Sequence, residues 1–563
     1  MIPVVDAGSV DGVTVLRSVS VTGRNAAALV FRVGRFDEAL PVAGITHLIE
    51  HLTLSTRHKA SYQFNAEVNG RFTAFFMESA DPADTADFIT TVCQGLAADY
   101  RHGLEQEKRI LRTEAASRGG AGALGACLSE RYGALGPGLA AYPEYGLHRL
   151  GWAEIEAWRR RWFVAGNAVL WISGAVPGGL RVELPPGPAP TAAPLRPLGL
   201  PLPGFVLGGR GGIGLSLTGR RSDAAVVALD ILEHRLTQVL RHERGLSYGV
   251  TGAREWLDGD IFHAWLAADA LPEQTSTVAH TMLTVFESLA GDGGTDEEIA
   301  DYARRLSDAY ESPEGPVMVL HRQAQNILCA RPVRAPAEIL WAARQVGRNA
   351  VSEAASQLLE QMIVATPQLV PAVQGRLPRL PLWSGTTVSG TTRRSRDFAS
   401  SLTVGAQGVM LTPEEGRHVT VRFDAMAALL CWNDQQRTLV GADGFALRLD
   451  PDEWPNGDAM VRSVEALVEP SLMVAIDSPG PEHPKRNQTA AETPPPATAP
   501  RPAMRRVWRR ICRGLSFTLV ATGILAMAGG DIGDGIAFLI IGVLAVCWLE
   551  LSGPRRIRGR GRG

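Results

Sequence analysis

Apolar and polar positions along this chain change period several times, and each change marks an element. Residues 13–17 and 26–33 are dense in Val, Leu, Ala and Phe and read as strands. Gly44 then opens a helical stretch that runs through residues 47–51. Residues 61–68 read as a second helical stretch ending at Asn69-Gly70, and 71–77 (RFTAFFM) as a strand. From 84 to 100, Phe88, Val92, Leu96 and Tyr100 recur at helical spacing on one stripe. Residues 104–118 form a helix dense in both charge signs, and 168–175 (AVLWISGA) a buried strand. The order β-β-α-α-β-α-α-β predicts an α+β unit, a sheet packed on helices.

A proline-rich run at 184–203 is unsuited to helix or central strand and reads as a linker. Beyond it the pattern repeats loosely. Strands at 212–217, 245–254 and 262–268 surround a helix at 223–240, and helical sequence from 275 to about 361 precedes a strand at 363–370. Residues 1–183 and 204–373 therefore read as two homologous sheet-plus-helices domains. Residues 400–477 differ. Short alternating strands at 402–404, 408–411, 419–423, 427–431, 437–441 and 446–449 precede a helix at 457–467 and a strand at 472–476. That predicts a small strand-rich barrel closed by one helix, similar in strand count to a pleckstrin-homology-like domain. Residues 478–504, rich in Pro, Ala and Thr, read as a tether.

Charge changes the picture at the C-terminal end. The net charge is −2, but residues 501–563 hold eleven arginines against Asp531, Asp534 and Glu550, which leaves −10 on the rest. The body is not a nucleic-acid binder on this balance. In the tail, apolar runs at 515–530 and 535–549 are broken by Asp531-Ile532-Gly533-Asp534 and flanked on both sides by arginines. This pattern predicts a membrane hairpin over 505–563 with both ends cytoplasmic, and hence a cell-membrane protein whose folded domains face the cytoplasm. Six widely spaced cysteines form no C-x-x-C pair, which fits a reducing compartment, and the N-terminus shows no signal-peptide pattern.

The chemistry concentrates in His47-Leu48-Ile49-Glu50-His51. On a helix, positions i and i+4 lie one turn apart on one face, so the two imidazoles can hold one metal ion. Glu50 sits beside the second ligand, placed to take a proton from a metal-activated water. This is the inverted H-x-x-E-H order. A hydrolytic zinc site usually needs a third protein ligand. The helix at 104–118 carries Glu107 and Glu114 seven apart on one face.

With these residues the chain resembles the insulinase/pitrilysin family, which includes the mitochondrial processing peptidases. The resemblance implies that His47, His51 and Glu114 bind one Zn²⁺ per chain, with Glu107 supporting the site. Arg241 and Tyr248, around Gly245-Leu246, resemble the family's Arg/Tyr signature, which implies oxyanion stabilisation beside the catalytic Glu50. Asn69 to Phe75 resembles the family's edge strand, so that Thr73, Ala74 and Phe75 would bind substrate backbone as an added strand. Thr73 stands where the family has Asn, and Phe76 where it usually has Thr. The family fold implies two facing domains around a chamber, completed by a homodimer or by a heterodimer with a related subunit. The resulting expectation is a membrane-tethered zinc metalloendopeptidase acting on small or unfolded peptides. The other readings are a non-cleaving structural or partner-binding subunit and a membrane-attached scaffold.

Overall fold

Six strands build the first sheet: β1 (Asp6–Val10), β2 (Val13–Ser18), β3 (Asn25–Phe31), β4 (Gln63–Val68), β5 (Thr73–Ser79) and β6 (Ala168–Ser173). The computed structural model describes residues 3–480 except 56–61, 119–121, 209–211, 398 and 414–416. The strand order is β1-β2-β6-β3-β5-β4, with β2 and β6 parallel and the other pairs antiparallel. Helices α1 (Ile45–Ser55), α2 (Ala83–Ala97), α3 (Leu104–Arg118), α4 (Ala123–Tyr132) and α5 (Trp152–Trp162) accompany it. Along β3, Ala27, Leu29 and Phe31 join the main core with Leu48 and Leu52 of α1, Phe88 of α2, Leu111 of α3 and Ile155 of α5. The intervening Ala28 and Val30 enter a separate core on the other face. The strand is buried on both sides, which is why its sequence is an unbroken apolar run.

The helix expected over 61–68 is instead β4. Gln63 to Ala66 alternate between exposed and half-buried, and each residue of QFNAEV pairs with β5 from Gln63↔Glu78 to Val68↔Thr73. Pairing to a sheet outweighs the helix preference of Gln, Ala and Glu.

The second half repeats the plan. Strands β7 (Gly204–Leu207), β8 (Gly212–Arg220), β9 (Val250–Asp258), β10 (Ile261–Asp269) and β11 (Ile363–Thr366) stand in the order β7-β11-β8-β10-β9. One pair, β7 and β11, is parallel and the rest are antiparallel, just as β2 and β6 are the one parallel pair of the first sheet. Helices α6 (Asp223–Thr237), α7 (Thr275–Asp292), α8 (Asp296–Glu311) and α9 (Gly315–Leu328) follow the same course, with two more at Pro336–Gln345 and Arg348–Glu360.

The halves exchange helices. Leu320 and Ala324 of α9 pack on Leu16, Val30, Ala74 and Trp171, covering the outer face of the first sheet. Trp171 Nε1 donates to His321 Nδ1 at 3.3 Å. Burial pushes His321 down to about 4, so the ring is neutral and can accept. In return, Ala123 and Cys127 of α4 pack on Val206, Ile363 and Ala365 of the second sheet. From the same helix, buried Arg131 donates to the carbonyls of Ser216, at 2.8 Å, and Gln361.

The third domain has two four-stranded sheets, β12 (Thr391–Arg394) to β15 and β16 to β19, with β13 (Ser400–Gly405), β14 (Gly408–Pro413), β15 (Val419–Arg422), β16 (Met426–Trp432), β17 (Arg437–Gly441), β18 (Ala446–Leu449) and β19 (Met473–Ile476). They share one core with the helix Gly457–Glu465, which contributes Met460 and Val464. The expected hairpin at 505–563 lies outside the described residues. Among the described residues no helix is long and apolar enough to cross a membrane.

Candidate metal centre

Helix α1 is set by what precedes it. Gly44 has φ +94, a left-handed conformation that favours glycine. A Cβ there would stand 2.8 Å from the Cβ of Glu144, so glycine also permits a close approach. The buried Glu38 carboxylate caps the helix start, accepting from Gly44 N at 2.8 Å and Thr46 N at 3.0 Å. Burial pushes Glu38 up to about 7 despite these two bonds. Leu48, Ile49 and Leu52 turn into the core.

Residues 47, 50 and 51 share a site. One donor atom from each of His47, Glu50 and His51 lies within 4.8 Å of the others. Glu50 Oε2 is 3.9 Å from Nε2 of both histidines. The ring centroids are 5.0 Å apart with planes at 88°. From α3, Glu114 Oε2 comes to 3.7 Å of His51 Nε2, and Glu107 Oε2 to 3.4 Å of His51 Nδ1. On the other ring, Glu144 accepts from His47 Nδ1 through Oε1 at 3.0 Å and Oε2 at 3.1 Å. Each imidazole therefore turns Nε2 towards Glu50 and has a carboxylate at Nδ1, an arrangement that fixes tautomer and orientation in histidine metal sites. Two imidazoles, an adjoining carboxylate and two outer carboxylates fit a zinc ion.

The surroundings split the two rings. Burial lowers the pKa of His47, but the hydrogen bond and charge of Glu144, with the charges of Glu50 and Glu114, outweigh it and the net shift is upward. His51 is shifted down by burial and by the neighbouring His47, against the pull of Glu114 and Glu107.

No sequence pattern marks Glu144 or Glu38 as part of the site. Glu144 sits just before a single helical turn, Tyr145–His148, where no periodicity marks it. The sequence offers only one hint of it, a glycine at the start of α1.

Arg241 and Tyr248 come together at the end of α6. The helix widens over Gln238–Glu243 and ends before Gly245, at φ +58. The Arg241 guanidinium lies 5.2 Å from the Tyr248 ring centroid. Asp269 holds the turn, accepting from Ser247 Oγ at 2.6 Å and Tyr248 N at 3.1 Å. The Tyr248 side chain is left 81% exposed. Among the described residues no hydrogen bond or ion pair joins either side chain to the histidines.

The substrate-strand expectation needs correction. Thr73, Ala74 and Phe75 belong to β5, an inner strand paired with β3 on one side and β4 on the other. All three are buried, and Thr73 Oγ1 donates to Val33 O at 2.9 Å. No backbone edge is open there. The edge on that side of the sheet is β4.

No family profile matches this sequence, and no curated protein matches it. Solved structures do. A peptidase M16 inactive domain from Pseudomonas fluorescens matches with TM-score 0.52 at 16% identity, over 65% of this chain and 99% of that one. A protease from Helicobacter pylori gives 0.54 at 15%, over 64% and 99%. The periplasmic protease PqqL from Escherichia coli gives 0.52 at 14%, over 74% of this chain, which spans only 55% of PqqL. The expected cell-membrane location with cytoplasmic domains does not stand. No described helix can cross a membrane, and one similar structure is of a periplasmic protease. Duplicated sheets with exchanged helices, a histidine-glutamate cluster on the first helix and these similarities together give the chain the fold of the M16 peptidases, found in proteases and in an inactive domain alike.

Proposed function

We propose that this chain is a zinc-dependent peptidase that hydrolyses peptide bonds in small or unfolded peptides. The observation that carries the reading is the pair of Nε2 atoms facing one glutamate, each ring with a carboxylate behind it. His47, His51 and Glu114 would hold the metal, which when bound supplies Lewis-acid activation of water and of the scissile carbonyl. Glu50 accepts a proton from the attacking water and delivers it to the leaving amine. Glu107 and Glu144 orient the two rings. Substrate backbone pairs with the outer edge of β4, which lies beside α1. Arg241 and Tyr248 act as a preassembled cation and phenol for the developing oxyanion. The resemblance to the insulinase/pitrilysin family supports pairing with a second copy or a related chain.

Glu50→Gln in the full chain should keep zinc by metal analysis and lose at least about a thousandfold in peptide cleavage. Equal cleavage by the wild type and the variant would refute the assignment. The second reading, a non-cleaving subunit, is motivated by the similarity to an inactive domain. It predicts no zinc-dependent turnover in either protein.

A further inference from the structure

We propose that the strand-rich third domain is a clamp on the metal centre. By gripping the segment that carries Glu144, it holds that carboxylate against His47 and so sets the affinity of the site for metal. The inference rests on the reading that the histidine cluster binds zinc.

Glu144 has no regular element to hold it. It falls between two short runs of tight helical turns, Gly136–Ala141 and Tyr145–His148, so its position depends on packing. That packing comes from the third domain. Ala134 and Leu139 share an apolar core with Leu430, Val440, Val474 and Ile476. Leu40, from the turn leading into α1, belongs to the same core. Tyr145, next to Glu144, meets the Trp432 ring edge-on, with centroids 6.2 Å apart and planes at 85°. Polar contacts fix the register. Ala134 N donates to Ala442 O at 3.1 Å, Tyr142 Oη to Gly444 O at 3.4 Å, and Arg149 Nη1 to Ser471 O at 2.5 Å. At Gly133 the backbones are so close that a Cβ would lie 1.9 Å from Ala442 O. On its other side, Glu144 receives His47 Nδ1 through both oxygens and abuts the backbone at Gly44. A continuous line of contacts thus runs from Trp432 through Tyr145 and Glu144 to His47. Outer carboxylates on metal-binding histidines commonly govern affinity by 10- to 100-fold, so loosening this line should be read at the metal.

The test is zinc affinity of the full chain, measured by competition with a chromophoric chelator. The variants are Trp432→Ala, Trp432→Phe, Glu144→Gln and the double variant Trp432→Ala/Glu144→Gln. Trp432→Ala and Glu144→Gln should each weaken zinc by about tenfold or more. Trp432→Phe, which keeps a ring against Tyr145, should restore wild-type affinity. The double variant should be no weaker than Glu144→Gln alone, because both act through one contact. Val464→Ala, in the third domain's own core, should lower thermal stability and leave zinc affinity unchanged. Wild-type affinity in Trp432→Ala, losses that multiply in the double variant, or an equal loss in Val464→Ala would each overturn the clamp while leaving the zinc reading intact. A wild-type chain that takes up no zinc would overturn both.

Discussion

At the scale of single residues, burial decides which acids keep their protons. Glu67 on β4 is pushed up to about 7 by burial and by the facing charge of Glu255, against Arg35. Glu255, also shifted up by burial, reaches across from β9 and accepts from Gly70 N at 2.8 Å. A carboxyl with its folded pKa near 7 and an ordinary unfolded value near 4.5 binds more protons in the folded state between those limits. Its contribution is fully present below pH 4.5 and is lost as pH rises through 7. Glu67→Gln removes that dependence. The variant should match wild type near pH 5 and exceed it by about 1–2 kcal/mol at pH 8, measured by urea unfolding. An equal gap at both values would show that ionisation of Glu67 is not the cause. The residues of the candidate metal site divided by how local their relations are. His47, Glu50 and His51 were readable because one helical turn fixes their geometry. Glu107 and Glu114 were readable as a pair because two turns of α3 bring them to one face. Glu144 was not, because its contact with His47 spans 97 positions and starts from an irregular segment.

Among elements, those with a strong internal period were found and those defined by a neighbour were not. The stripe of Phe88, Val92 and Leu96 gave α2, and the alternation in 402–449 gave β13 to β18 almost strand by strand. β4 was missed because a six-residue run of mixed polarity becomes a strand only through β5. The same limit misplaced the sheet edge. RFTAFFM reads as a strand, but which of its sides is paired is a property of the sheet. Helix α9 carries the heaviest structural duty outside its own half. Leu320 is fully buried against the first sheet, so Leu320→Ala should destabilise the chain by about 2–5 kcal/mol. Chemical denaturation followed by Trp fluorescence reads this directly, since Trp171 lies in the same core. A loss under 0.5 kcal/mol would show that α9 does not hold the halves together.

Across the whole molecule, the internal duplication was visible as a recurring order of elements on either side of the proline-rich run. The topology makes it firm, since β2-β6-β3-β5-β4 and β7-β11-β8-β10-β9 match strand for strand in order and direction. The helix exchange left no trace in the sequence, because an amphipathic helix does not state which sheet it will cover. It forbids independent halves. A fragment of residues 1–183 would expose Leu16, Val30, Ala74 and Trp171 on one sheet face. It should elute as aggregates in size-exclusion chromatography and bind a hydrophobic dye, whereas the full chain should not.

The exchange also bears on synthesis. Ser173 completes the first sheet, but the helix that shields its outer face ends only at Leu328. On the ribosome that apolar surface stays bare for on the order of ten seconds at ordinary elongation rates. The nascent protein should therefore be a client for chaperones during that interval, and slowing translation between those two points should lower its yield.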